Sequence, residues 1–230
     1  MDLGLNIAAS GMLAEQVQED QLANDLANAS TPGFKPTVSD QNSFGTLLFA
    51  SSATGKTIGG IDQGVQVGRA GLDLNEGQLQ STGRPLDFAI SGAGFFAIKT
   101  AGGVQYTRNG QFSTNAQGLL VDQFGDEVLS QNGGPIKVGS TDSVPASAVG
   151  VFAVNNPAEL GNSNFVGRSS GRGTGAVLQG KLEGSGVDAI QTMVAMTSAL
   201  QAYQAGQQSI QTINQTMQES ASTVGLVPGA

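Results

Sequence analysis

Apolar and polar positions change their period twice along the chain. From Leu3 to Asn28 the residues Leu5, Ala8, Ala9, Met12, Leu22, Ala23 and Leu26 recur at three- and four-residue steps, the helical period. Glu15 and Glu19 interrupt that stripe, and the helix must stop by Pro32-Gly33, because proline lacks a donor and restricts the residue before it. From Val187 to Val224 the positions Met193, Met196, Leu200, Tyr203, Gln207, Ile210, Asn214, Met217, Ala221 and Val224 follow unbroken steps of three and four. All but Gln207 and Asn214 are apolar, which makes a heptad seam of the coiled-coil kind. Ser185 and Asp188 resemble a capping box ahead of it, and helix enders return only at Gly225 and Pro228. At ~1.5 Å per residue the two helices would be about 39 and 57 Å long.

Between them the period shortens to two. Leu86 to Ile90 alternates, Phe95 to Ile98 follows a glycine turn, and Asn109-Gly110 between Val104–Thr107 and Gln111-Phe112 predicts a hairpin. Further turns are expected at Asn115–Gly118, before Leu119–Val121, and at Gly125-Asp126, before Glu127–Leu129. Residues 36–70 are rich in Gly, Ser and Thr and predict an extended or irregular connector; 160–176 read the same way. The expected fold is α+β: long N- and C-terminal helices forming a coiled-coil stem, and a central antiparallel β-barrel or sandwich-like domain. The parts are residues 1–35 (first stem helix), 36–70 (connector), 71–185 (β domain) and 186–230 (second stem helix).

Composition sharpens this division. All ten basic residues lie between Lys35 and Lys181, so the two terminal segments carry −7 of the net charge of −8. An acidic chain with no clustered Lys or Arg is not built for nucleic acid. The absence of cysteine and histidine removes thiol nucleophiles, disulfides, the usual zinc sites and histidine general bases, and no catalytic, cofactor or metal site is expected. No apolar run approaches the ~18 residues of a membrane span. With 34 glycines and 12% charged residues, the chain suits turns, strands and close packing better than catalysis.

Both helices carry apolar or small residues on more than one side: Ile7, Leu13, Ala14, Val17 and Ala27 on the first, Ile190, Val194, Ala199 and Ile213 on the second. One partner helix cannot cover them all, so the remainder marks an interaction surface. The residues expected to make assembly contacts are Leu5, Met12, Leu22 and Leu26, with Asn24 and Asn28, in the first helix. In the second they are Met193, Met196, Leu200, Tyr203, Gln207, Ile210, Asn214 and Met217. Asn24, Asn28 and Thr31 also suit capping of the first helix's end.

Five stretches, in order, resemble the bacterial flagellar rod and hook proteins. Ala23-Asn24-Asp25-Leu26-Ala27-Asn28-Ala29-Ser30-Thr31-Pro32-Gly33-Phe34-Lys35 is similar to the family's N-terminal signature, with Asp25 where Asn is usual. Gly77–Leu79 with Thr82–Ile90, then Gly92–Phe96, resemble its central strand motif, and Tyr106–Phe112 the hairpin after it. Gln179–Val187 resembles the approach to the C-terminal helix, with Gly186 where Asn is usual. The resemblance implies a structural subunit that polymerises helically, with neighbouring rod and hook proteins, the type III export apparatus and the rings around the rod as partners. It implies export without a cleaved signal and residence in the basal body. Gly64–Gly68 resembles the distal members of the rod, with the proximal members as the alternative. Gln201-Ala202-Tyr203-Gln204 departs from the charged pattern usual in the C-terminal helix.

Other motifs have plainer readings. Gly92-Ala93-Gly94 lacks the further glycine and lysine of a phosphate loop and reads as a turn. Asp122, Asp126 and Glu127 lack calcium-loop spacing. Asp73, Glu76 and Asp87 make an unpersuasive glycosidase pair, and Arg84 is expected to be structural, beside Asp87. A secreted adhesin or carbohydrate-active protein with a coiled-coil stalk is the rival class.

Overall fold

The computed structural model describes residues 2–43, 46–50, 57–62, 65–139, 143–161 and 163–224. Gly64, Gly225 and Pro228, used above, lie outside them. The chain divides into two compact units. The first comprises the described parts of Met1–Leu26, Val38–Gly71 and Ala189–Ala230; the second comprises Ala27–Thr37 and Leu72–Asp188.

The first unit holds the long helices α1 (Asp2–Ala27) and α2 (Ala189–Val224). α1 ends ahead of Pro32-Gly33, as its proline dictates. α2 begins at Ala189, so Asp188 takes the position before the first turn. The expected N-cap Ser185 instead accepts the Val187 N–H at 3.2 Å, in a tight turn further upstream. The helices meet where Gly206 lies against Met12 and where Gly4 lies against Ile213. As α1 rises from Gly4 to Met12 its contacts on α2 fall from Ile213 to Gly206, so the two run antiparallel. The segment expected as an extended or irregular connector carries β1 (Thr37–Ser43), β2 (Thr46–Ala50), β3 (Thr57–Asp62) and β4 (Val65–Leu72). β1 pairs with β4, and β2 with β3, the latter antiparallel from Thr46↔Asp62 to Ala50↔Thr57.

The second unit is built on short strands: β5 (Leu79–Ser81), β6 (Phe88–Ser91), β7 (Phe96–Thr100), β8 (Gly103–Thr107), β9 (Ser113–Thr114), β10 (Leu120–Val121), β11 (Glu127–Val128), β12 (Phe152–Gly161), β13 (Asn164–Arg172), β14 (Ala176–Gln179) and β15 (Lys181–Glu183). Seven of them form one antiparallel sheet in the order β12-β13-β8-β7-β11-β10-β9. β14 pairs with β6, and β15 with β5. The large sheet is open, with β12 and β9 as its separate edges, so the expected β layer is present but no barrel closes.

β7 shows why this unit coheres. Phe96 and Ile98 enter one apolar cluster with Phe88, Ile90, Phe112, Leu120 and Val128. The alternate residues Phe95 and Ala97 enter a second with Tyr106, Leu129 and Phe165. Both faces of the sheet's middle are therefore buried, as the two-residue period requires. The turns at Asn115 and Asp122 form as expected. The Asn115 side chain accepts the Gln117 and Leu119 N–H groups at 3.0 and 2.9 Å, and the Asp122 side chain accepts those of Phe124 and Asp126 at 2.8 and 2.9 Å.

Two strand-level expectations are corrected. Asn109-Gly110 is not a hairpin turn: β8 pairs with β7 and β13, and Gln111 bridges Asp87. Gly110 is glycine because the chain crosses Phe88 there; a Cβ would fall 1.6 Å from the Phe88 carbonyl oxygen. Residues 160–176, expected to be an extended or irregular connector, are extended but paired: they lie mostly in the β12–β13 hairpin and the start of β14. Their small polar residues hid the alternation, because most of β13 beyond Phe165 is exposed on both faces.

Candidate assembly surfaces and a buried charged clasp

Leu5, Met12, Leu22 and Leu26 are half-buried on α1, whereas Asn24 is exposed. Asn28, just past the helix, accepts the Thr31 hydroxyl at 3.1 Å and, through its carbonyl, the Thr31 N–H at 3.0 Å. These residues therefore shape the turn out of α1. Asp25, at the position where Asn is usual, is buried.

On α2 the more buried stripe is Met196, Ala199, Tyr203, Gly206, Ile210, Ile213 and Met217. Four of these belong to the expected seam. Of the others, Met193, Leu200, Gln207 and Asn214 are exposed, and the side chains of Ala221 and Val224 lie outside what the structure describes. The shift is one residue at alternate steps, and Gly206 accounts for it. Its missing side chain admits Met12; a Cβ there would lie 2.7 Å from the Met12 Cγ. The small residues Ala199 and Gly206 thus set the close face, and larger residues turn outward.

Ile190 remains 76% exposed and Val194 63%, with Met193 and Leu200 beside them at helical spacing. Leu13 and Val17 form a smaller exposed pair on α1. No charged side chain occurs from Ala189 to Gln218. The outward face of α2 is therefore apolar near its start and amide-rich beyond, through Gln201, Gln204, Gln207, Gln208 and Gln211. Covering one Leu, Ile or Met is worth about 1.5–3 kcal/mol, so a few such residues suffice for a stable contact.

The second unit contains a group of charges that pattern reading did not foresee. Lys35, Arg108 and Glu183 are buried together. The Glu183 carboxylate holds the Lys35 ammonium at 2.5 Å through Oε1 and the Arg108 guanidinium at 3.0 Å through Oε2. Oε1 also accepts the Gly77 N–H at 2.9 Å. Lys35 donates to the Asn75 carbonyl, and Arg108 to the carbonyls of Gly92 and Ile90. Backbone bonds run alongside: Gly33 N–H to the Glu183 carbonyl at 2.9 Å and Gly186 N–H to the Phe34 carbonyl at 3.0 Å. The clasp ties the segment after α1 to the segment before α2, and both to the sheet. Two buried cations share one carboxylate and several carbonyls. Such groups tolerate burial only when paired and hydrogen-bonded.

The carboxylates weighed for chemistry have structural work. Asp87 takes the Thr82 hydroxyl at 2.6 Å and lies 3.6 Å from Arg84, as expected for that arginine. Glu76 accepts the Gly92 N–H at 3.0 Å, fixing the Gly92–Gly94 turn. Asp73 accepts the Asn75 N–H. Asp126 has its carboxyl pushed above the usual range by burial and by the neighbouring Asp122 charge. Burial raises Glu159 likewise, against a hydrogen bond from Thr37. Among the described residues no group of acidic side chains is placed to hold a metal ion, and no helix is long and apolar enough to cross a membrane.

Comparison with known proteins places these features. Residues 5–35 match the flagella basal body rod protein family, 89–160 the D1 domain of the flagellar hook protein FlgE/F/G family, and 178–223 the C-terminal part of the flagellar basal body rod FlgEFG proteins. The chain is 31% identical to the flagellar basal-body rod protein FlgG of Bacillus subtilis, over 91% of this chain and 94% of that one. It is 31% identical to the flagellar basal-body rod protein FlgF of Caulobacter vibrioides, over 89% and 90%. With FlgG of Caulobacter vibrioides it shares 30%, over 94% and 97%. The matched families contribute Lys35, Arg108 and Glu183 in turn, so the clasp joins all three regions. The chain belongs to the flagellar basal-body rod protein family.

Proposed function

We propose that the chain is a rod subunit that self-assembles helically and carries torque from the motor toward the hook, without enzymatic turnover. The observation that supports this best is the exposed apolar face of α2 around Ile190, Val194 and Leu200, on a stretch with no charged side chain from Ala189 to Gln218 to oppose a second copy. In this reading α1 and α2 form a coiled-coil stem within an inner tube. Leu5, Met12, Leu22, Leu26, Asn24, Asn28, Met193, Met196, Leu200, Tyr203, Gln207, Ile210, Asn214 and Met217 then divide between the contact inside one chain and contacts to neighbours. Stiffness follows from close packing, because dense interiors resist deformation.

Neighbouring rod and hook proteins are the natural end partners, and the export apparatus and surrounding rings the transient and lateral ones. The distal position is favoured by the long reach of the match to the FlgG relatives, the distal-rod type, which covers 94% and 97% of their lengths. The equal identity to a FlgF relative, the proximal-rod type, supports the proximal position as the second reading. Cryo-electron microscopy of purified basal bodies tests both: the chain's density is expected in the rod, nearer the hook. Basal bodies that lack the chain, from cells that swim normally after its deletion, would remove the proposal.

A further inference from the structure

Hydroxyls on the exposed side of α2 are satisfied by their own helix. Thr197, Ser198, Ser209, Thr212 and Thr216 are exposed, yet each donates to the carbonyl four residues back, at 2.8–3.0 Å. A hydroxyl whose donor is already in use can leave water at little cost. Met193 and Val194 are 54% and 63% exposed beside them, and no side chain from Ala189 to Gln218 is charged. This side of α2 is built to be covered by a surface that brings apolar groups and asks for no ion pair.

α1 offers such a surface. Leu13 is 63% exposed and Val17 46%, one helical turn apart. Ile190 and Val194 on α2 have the same four-residue spacing and are 76% and 63% exposed. Within one chain the two pairs do not meet. The Met12–Gly206 contact puts Leu13 level with about residue 205 of α2. Val194 stands about eleven residues nearer the start of α2, or about 17 Å away along the axis. Between copies the pairs match, because the helices run antiparallel: a single shift lays Val194 on Leu13 and Ile190 on Val17.

Symmetry selects this pairing over the others. A patch laid on its own copy is two-fold and stops at a dimer, whereas a patch laid on a different patch propagates. We propose that Ile190 and Val194 of one copy cover Leu13 and Val17 of the next, with the two copies offset by about 17 Å along the helix axis. Each repeat of the offset carries the contact further along the axis, so it builds an open helix and not a flat ring. The inference rests on the rod reading and deepens it, by naming which faces meet and how far neighbours are displaced.

The chain has no cysteine, so cysteines placed at Leu13 and Val194 report this contact alone. Both positions are exposed. In purified and mildly oxidised basal bodies, L13C/V194C is expected to run as a ladder of disulfide-linked oligomers, and each single variant as no more than a dimer. Charge gives a second readout. Asp20 is exposed three residues beyond Val17, so in this register it lies beside position 190 of the neighbour, and Asp188 precedes that neighbour's helix. I190E therefore meets like charge and is expected to cut incorporation into rods about tenfold or more. D20K in the same chain is expected to restore most of it. Inside one chain the two positions lie about 11 Å apart along the axis, so the rescue reports the contact between copies. No ladder from basal bodies that contain the double variant overturns the contact, as does an I190E defect that D20K leaves unrescued, and both results leave the rod reading standing. Absence of the unsubstituted chain from basal bodies removes that reading as well.

Discussion

Glu183 binds Lys35 at 2.5 Å across 148 positions of sequence, with both side chains wholly withdrawn from solvent. The pair brings together two segments that sequence order places at opposite ends of the β unit. A charge so placed contributes little net stability while satisfied, but its partner's loss is costly. The three members of the clasp should not be equivalent. Removing Glu183 strands two buried cations; removing Lys35 leaves Arg108 and Glu183 still balanced. E183L is expected to destabilise the second unit by about 3–5 kcal/mol, and K35M by clearly less. Urea unfolding of the β unit checks this order, and equal losses would show that Arg108 is not part of the same balance.

Acid should act on this unit in an unfamiliar direction at two positions. Asp126 and Glu159 both hold their protons more tightly when folded than their ordinary values of 3.8 and 4.5. A folded state that binds more protons loses stability as pH rises through the window above those values. Each group therefore opposes folding at neutral pH and is neutral to it in strong acid. D126N is expected to raise the urea midpoint slightly at pH 7 and to leave it unchanged near pH 3. The effect is small because the side chain is largely solvated. A lowered midpoint at pH 7 would mean that the Asp126 carboxylate stabilises the fold.

Much of this architecture was legible because it is written locally. The Asn115 and Asp122 turns depend on side chains that cap their own backbone, so a few adjacent residues suffice to find them. The helices are legible for the same reason. The inward stripe of α2 was displaced by one residue at alternate steps because an apolarity count prefers Leu200 to Ala199, whereas helix approach rewards the smaller residue. Asn109-Gly110 misled because glycine serves two needs, positive φ in a turn and room for a crossing strand. Here the crossing governs. The clasp was not legible at all. Charged residues are read as surface by default, and nothing local to Lys35, Arg108 or Glu183 announces the other two. The available signal was indirect: each stands inside a different stretch of the family resemblance.

Gly206 offers a direct probe of the helix pair. A leucine at this position would drive its Cβ to 2.7 Å from the Met12 Cγ and push the helices apart. Glycine also lowers helix propensity by about 1 kcal/mol relative to alanine, so a smaller change pulls both ways. G206L is expected to abolish assembly. G206A combined with M12A is expected to keep assembly, because the methionine's volume is withdrawn as the methyl is added. Electron microscopy of assembled material scores both variants. Normal rods from G206L would mean that α1 and α2 do not need their close approach.

The exposed face of α2 is the most direct test of what covers it. Leu200 is 41% exposed on α2, in the first unit. L200D should leave the fold of the second unit intact, with an unchanged urea midpoint. Yet a carboxylate would enter a face that carries no cation anywhere along α2, so no neighbour built from the same helices can pair it. Desolvating an unpaired charge costs several kcal/mol, more than one covered leucine returns. Cells carrying L200D are expected to secrete the chain but to build no rod beyond the point where it should add, and to be non-motile. L200N carries no charge and suits an amide-rich surface, so it should assemble at least in part. If L200D cells swim normally, the face around Leu200 stays in water in the finished structure, and the neighbouring subunit must be held by other residues.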